Sequence, residues 1–485
     1  MIGLDRYAST DGLGLAELVR DGEAAPAELV ELTLAGCARV NDRLGAVIET
    51  LSPSPSEDGA PFGGVPFLLK DLGATAAGVR SEWGSRLAAG SIADHDSELM
   101  RRFRAAGLVL VGRTAASELG LLPVTETALN GPTCSPWSAA HSSGGSSGGA
   151  AAAVGAGIVP IAHANDGGGS IRVPAACCGV VGLKPSRGRV SAAPDAGDPI
   201  LGWAVEFAVT RTVRDTAALL DAVAGSSPGD PYVIASHGRP FLDEVGVPPG
   251  GLRIAVCAKS WSHIPVDPEN AAAATASGEL LAALGHDVTE ASPDLDWDAF
   301  LAVETPVWAA TTAHGVRSLA AASGREPGED TLEPITLALY ERGLRLSAGE
   351  LLDAIDGMNA IGRRVARLFE DVDVLLTPTL PGPPLPIGAF RVLPGETATE
   401  IAAGWERHET FTSLFNLTGQ PAISLPLHQH ANGLPLGIQL VGRFGGEATL
   451  IRLAAQLEEA LPWRDRLPPI HVTRRPEEES DERPD

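Results

Sequence analysis

Residues 165–185 read NDGGGSIRVPAACCGVVGLKP, with three glycines directly before Ser170 and a proline four residues after it. A second cluster, SSGGSSGGAAAAVGAG, begins at Ser142. Glycine permits positive φ and lets a backbone or a ligand come close, so glycines packed around serines mark either a flexible linker or a tightly approached site. Linkers sit in polar, low-complexity surroundings, whereas these clusters are joined by AAAAVGAGIVPIAHA, which reads as a buried helix running into a buried strand. They are therefore loops of a core.

The same alternation runs outward in both directions. Short apolar runs at 66–70 (PFLLK), 108–114 (LVLVGRT), 158–162 (IVPIA), 253–258 (RIAVCA) and 373–378 (DVLLTP) predict strands between helical patterns. This is an α/β class, a sheet with helices on both faces. Residues 12–20 and 26–40 predict amphipathic helices, the second opened by Pro26. Near the other end, 421–427 and 436–442 flank a turn containing ANG and predict a hairpin, followed by a helix over 447–461. The core thus draws on both ends of the chain, and no repeat or Pro/Gly linker divides it. One domain is expected over 1–473, with a variable helical pocket wall at about 292–365 and a charged, disordered tail at 474–485.

Composition narrows the function classes. A chain of 485 residues with 44% hydrophobic and 20% charged residues can bury a large core, and its net charge of -25 argues against a nucleic-acid partner. Five cysteines without C-x-x-C spacing indicate neither a disulfide framework nor a zinc site. No signal peptide and no long apolar run is present, so a cytoplasmic protein without a membrane span is expected.

Neither glycine cluster fits a phosphate-binding loop, because G-x-x-x-x-G-K-[ST] is absent and neither follows a strand as G-x-G-x-x-G. GGSSG at 144–148 formally matches the G-x-S-x-G nucleophile elbow, but CSPWSAAHSS before it does not read as a strand. Lysine usage is more telling: of 36 Lys and Arg only Lys70, Lys184 and Lys259 are lysines. Lys70 ends an apolar run, where burial disfavours the ammonium. An arginine there could not release its proton, and a lysine can. A neutral lysine is a competent base for a serine hydroxyl, the alternative being that Lys70 snorkels or pairs with Asp71.

VPFLLKD, GGSSGG, NDGGGSIRVPAACCGVVGLKPSRGR and GQPAISLP together resemble the amidase signature family of Ser-Ser-Lys hydrolases, in order from about residue 5 to residue 465. The resemblance implies a mixed, twisted sheet of about eleven strands covered by helices on both faces. It implies Ser170 as acyl-accepting nucleophile, Ser146 as bridging serine after a cis peptide bond, Lys70 as terminal base and Ser147 in support. Asp166 and Arg172 would hold the loop. Gly167, Gly168 and Gly169 would close around an oxyanion with their N–H groups. This chain carries Asn165 where the family usually has Thr or Ser, and Cys134-Ser135 where it usually has Arg-Asn. PIAHANDGGGSIRVPAACCGVVGLKP, PGDPY and FNLTGQPAISLP are especially similar to the 6-aminohexanoate cyclic dimer hydrolase branch, with Trp308 as a bulky pocket-wall residue.

The resemblance implies amide hydrolysis through an acyl-enzyme on a small amide, linear, aryl or cyclic, without cofactor or metal, and a homodimer as in many members. Two alternatives share the scaffold: the glutaminase-type subunit of a tRNA-dependent amidotransferase, and a catalytically silent binding protein. Bland readings cover the remaining residues. His428 and His430 read as surface histidines at a hairpin, His163 as a core histidine, and His141 as unneeded by the lysine. Cys177 and Cys178 read as helix packing, since nothing electropositive lowers their thiols.

Overall fold

The computed structural model describes residues 2–53, 59–262, 264–390, 400, 404–405 and 408–474. Its centre is an eleven-stranded mixed sheet with helices around it. The strands are β1 (Val47–Thr50), β2 (Pro66–Lys70), β3 (Val109–Thr114), β4 (Ile161–Asp166), β5 (Val181–Lys184), β6 (Val205–Thr210), β7 (Arg253–Val256), β8 (Asp287–Glu290), β9 (Val374–Pro378), β10 (Ala422–Gln429) and β11 (Pro435–Gly442). Their spatial order is β1-β3-β2-β4-β6-β5-β10-β11-β9-β7-β8. Parallel pairs at β3-β2-β4 and β9-β7-β8 enclose an antiparallel middle.

The expected strands are present, with one shift. The run 158–162 does not begin the fourth strand, which spans Ile161–Asp166. Pro160 lacks the N–H that a central strand must donate, and the pairing starts just after it. The second N-terminal helix extends to Leu44 and ends on Gly45 in the left-handed region. Helices Trp297–Ser323, Pro334–Arg345 and Ala348–Ala366 fill the expected helical stretch, and the polar break at 323–330 falls between the first two. The two ends of the chain share one apolar cluster, which holds Ile2 and Tyr7 with Ile470 and Val472. The Tyr7 hydroxyl donates to the Ile158 carbonyl at 2.9 Å, tying the first helix to the loop before β4. Apart from Arg474, the expected charged tail lies outside the described residues. Among the described residues no helix is long and apolar enough to cross a membrane.

The composition of the helix Gly148–Gly155 follows from where it lies. It packs against β4 and near β3, and its residues 148–154 are all buried. A Cβ on Gly149 would stand 2.5 Å from the Ala115 nitrogen and 2.6 Å from the Ala46 carbonyl, so only a bare backbone fits.

β2 and β3 run parallel, with Leu69 beside Arg113 and Lys70 beside Thr114. Arg113 is buried and donates to Asp71 Oδ1 (2.6 Å), Glu82 Oε2 (2.8 Å) and Glu49 Oε2 (2.7 Å). Asp71 also accepts the N–H groups of Glu82 and Gly84, which pins the loop leaving β2. Removing one member of a buried ion cluster leaves uncompensated charge, at a typical cost of about 3–5 kcal/mol. Arg113→Met is expected to destabilise the fold by about that amount, read from the urea midpoint at neutral pH; an unchanged midpoint would remove Arg113 as the anchor of the β2 end.

Candidate active site

Lys70, Ser146, Ser147 and Asn165 meet at the end of the sheet where β2 and β4 stop. Lys70, the last residue of β2, is 1% exposed. Its Nζ lies 2.8 Å from Ser146 Oγ, 2.8 Å from Ser147 Oγ and 2.5 Å from Asn165 Oδ1. It does not pair with Asp71, whose carboxylate is taken by Arg113 and two backbone N–H groups. Burial lowers the lysine to about 7, while the charges of Glu206 and Asp166 act in the opposite sense. Near neutral pH the amine is therefore divided between its two protonation states.

The hydrogen bonds distinguish the two serines. A neutral amine has two protons to give and one lone pair to fill. Asn165 Nδ2 donates to the Leu72 carbonyl (3.0 Å) and Glu206 Oε1 (3.2 Å), so Oδ1 faces Lys70 and can only accept. The Ser147 hydroxyl donates to the Asn165 carbonyl at 3.2 Å, so Ser147 also accepts from the amine. The group left to donate to neutral Nζ is Ser146, which keeps lone pairs for a further proton. The Gly145–Ser146 peptide is cis.

Ser170 lies between β4 and the helix Arg172–Cys178, 4% exposed, and its hydroxyl makes no hydrogen bond among the described residues. Among those residues the backbone N–H groups of Gly167, Gly168, Gly169 and Ser170 also have no acceptor. Backbone N–H groups without an internal acceptor on a buried loop are the type of donor that can stabilise a developing oxyanion. The loop is held from behind. Asp166, at the end of β4, accepts from Arg172 Nε and Nη2 at 2.9 Å each and from Asn416 Nδ2 at 2.8 Å. Burial works against that carboxylate, yet Arg172 holds it down at about 2. Arg172 in turn reaches Gln439 Oε1 (2.7 Å) on β11 and the Thr412 carbonyl (2.9 Å).

Trp308 reaches the loop: its Cη2 would stand 3.1 Å from a Cβ on Gly167. Its ring is tilted against Trp405 at 5.7 Å. The Glu409 carboxyl covers Gly168, with Oε2 2.6 Å from a Cβ there, and burial together with Asp166 pushes it up to about 8. A carboxyl that is uncharged at neutral pH does not oppose negative charge on the loop.

Other expectations are corrected. The stretch 134–142 does carry a short ladder, Cys134–Ser135 against Ser138–Ser142, too short for periodicity to reveal. It lies outside the central sheet, and residues 143–147 separate it from the next helix. His430 is buried rather than a surface histidine, and its ring approaches Asp267 and Glu269, all within 4.8 Å. His428 points elsewhere, to Ser277 Oγ at 2.8 Å, so the H-x-H pair does not share one site. His141 bonds Ser138. Burial raises the Cys177 thiol to about 12, as its helix-packing role implies. Not anticipated were Asn416, Thr412, Gln439, Glu409 and Glu206, which come from distant segments, and Lys184, a second buried lysine that donates to the Pro185 carbonyl.

The Amidase family model matches residues 29–451. The chain belongs to the amidase signature family. It is a hydrolase of amide C–N bonds, similar over most of its length to known members. It is 39% identical to the 6-aminohexanoate-cyclic-dimer hydrolase of Pseudomonas sp. (strain NK87), over 95% of this chain and 96% of the other. A solved 6-aminohexanoate cyclic dimer hydrolase with its substrate superimposes with a TM-score of 0.91 at 37% identity, covering 96% of this chain and 99% of that one. A Thermotoga maritima subunit of the glutamyl-tRNA(Gln) amidotransferase superimposes at 0.78 and 28%, covering 96% and 97%.

Gly169 has φ +151, and a Cβ there would stand 2.5 Å from Thr412 Oγ1 and 2.8 Å from Val173 Cγ2. Gly169→Ala is expected to slow adduct formation with a serine-directed fluorophosphonate about 100-fold or more, by displacing the N–H donors; an unchanged rate by intact-protein mass would show that the loop's shape is dispensable.

Proposed function

We propose that this amidase cleaves a small carboxylic amide through an acyl-enzyme on Ser170, with Ser146 and Lys70 as its proton path. The supporting observation is the proton accounting around Nζ, which leaves Ser146 as the donor to a neutral lysine, together with a Ser170 hydroxyl that makes no hydrogen bond among the described residues. Ser170 Oγ attacks the carbonyl carbon while its proton passes to Ser146 and the Ser146 proton to Lys70. The carbonyl oxygen takes the negative charge among the N–H groups of Gly167, Gly168, Gly169 and Ser170. Collapse breaks the C–N bond, and the proton stored on Lys70 returns through Ser146 to the leaving nitrogen. Water then repeats the sequence on the ester and releases the acid.

Ser147, Asp166 and Arg172 are positioning residues in this scheme, and one amidase domain carries all of them. Trp308 and Trp405 form an apolar wall suited to methylene or aryl groups, and the cyclic dimer of 6-aminohexanoate is the first substrate to try. The amidotransferase reading is weaker, because similarity to the cyclic dimer hydrolase is higher in both sequence and superposition.

Fluorophosphonate labelling followed by intact mass tests the scheme. Wild type is expected to take one adduct and Ser170→Ala none, with Lys70→Ala slowed about 10²- to 10⁴-fold. Below about 7 Lys70 is an ammonium and cannot accept a proton, so the labelling rate should fall with pH through a midpoint near that value. A Ser170→Ala variant that still labels at full rate would sink the assignment. Turnover of the cyclic dimer, a linear aliphatic amide and an anilide then ranks the substrate classes.

A further inference from the structure

Behind the lysine lies a chain of polar groups that the proton path does not use. β4 and β6 pair antiparallel with Asn165 opposite Glu206 and His163 opposite Ala208. Successive residues alternate faces, so His163 and Asn165 share one face and Asp166 takes the other. On that shared face Asn165 Nδ2 donates to Glu206 Oε1 at 3.2 Å, and His163 Nε2 meets Glu206 Oε2 at 2.7 Å. Glu206 and Asn165 are 8% exposed, His163 is fully buried, and His163 Nδ1 has no partner among the described residues.

The surroundings are shaped to this chain of groups. Gly73, on the loop leaving β2, has φ +96, and a Cβ there would stand 2.4 Å from Asn165 Nδ2 and 2.5 Å from Glu206 Oε1. The loop backbone thus closes directly over the Asn165–Glu206 bond. The edge of Phe103 covers His163, with ring centroids 6.0 Å apart. Both carboxylate oxygens of Glu206 are spent on this line, one on Asn165 and one on His163.

We propose that Glu206 is a positioning residue for the base, holding Asn165 against Lys70 and supplying, from one amide away, the negative charge that governs when the lysine gives up its proton. This rests on the assignment of Lys70 as base. A carboxylate in direct contact would keep the amine charged, whereas none at all would leave it too weak a base. Placed behind Asn165, the charge is felt and the proton is not taken. The charged and titratable groups around Lys70 support the assignment: Glu206 and Asp166 both favour the ammonium, Glu206 more strongly, against the larger effect of burial. His163 stands behind Glu206, while Asp71, next after Lys70 in the chain, is engaged by Arg113.

The pH dependence of fluorophosphonate labelling at Ser170 tests this without knowledge of the substrate. In Glu206→Gln the acid limb is expected to move to lower pH by about one unit, because the ammonium loses its stabilising charge, while the plateau rate falls with the weaker base. Glu206→Asp, which keeps the charge, should leave the limb near its wild-type position. A purely structural role would lower labelling at every pH without moving the limb, and that result overturns the proposal. If Glu206→Gln does not fold, Glu206→Ala removes the same charge, and an unmoved limb there is equally decisive. Wild type that labels with no acid limb near neutrality would instead overturn the assignment of Lys70 itself.

Discussion

The demand that organises this end of the molecule is an amine buried at the tip of a central strand. An ammonium 1% exposed has lost nearly all its hydration, and the drop from 10.5 to about 7 corresponds to about 5 kcal/mol of disfavoured charging. The depressed value means that the unfolded chain binds more protons than the folded one between about 7 and 10.5. Lys70 therefore makes the fold gain stability as pH rises through that window, and its full cost is present below it. Three neutral oxygens surround the amine, and each comes from a segment whose path brings it there. The turn into the bare helix Gly148–Gly155 brings in the serines; β4 brings in Asn165.

The same logic explains the arginine behind the Ser170 loop. A loop with four free N–H groups cannot be held through those groups, so it must be held through its flanks. Asp166 before it and Arg172 after it close a bidentate pair over six residues, and Arg172 carries the connection on to β11 and to Thr412. Thr412 also donates to the Gly168 carbonyl at 2.6 Å, fixing the loop by its oxygens and leaving its nitrogens unspent. The polarity of the loop is thereby sorted: the Gly168 carbonyl is tied back, and the N–H groups of residues 167–170 have no acceptor among the described residues.

Much of this is legible in the sequence, because some requirements are local. Lysine scarcity marks Lys70, and the apolar runs mark β2, β3, β4, β7, β9, β10 and β11 closely enough to place the motifs on them or between them. Strand order is not legible, since β5 lies between β6 and β10 and no local pattern encodes which distant run pairs with which. The Asn165–Glu206 bond joins residues 41 apart that meet only through the β4–β6 register. Arg113 is hidden for a different reason: inside LVLVGRT it reads as a strand's polar end, and only the fold brings Asp71, Glu82 and Glu49 around it. His430 escapes because a hairpin tip is usually exposed, whereas this one lies under the start of the helix Pro268–Ala283.

Two cations stand next to each other in this sheet and are treated in opposite ways. Arg113 on β3 touches three carboxylates directly, which is the treatment that fixes a charge permanently and makes it an anchor. Lys70, one register position further along β2, makes no ion pair among the described residues, and the Glu206 carboxylate reaches it only through the Asn165 side chain. Exchanging the two residue types would defeat both tasks: a lysine among three carboxylates would lack the planar fork that reaches them all, and an arginine among two serines would never become a base. Arginine anchors and lysine titrates, so a chain that uses arginine almost everywhere else keeps a lysine at a strand end where burial brings its charge into the neutral range.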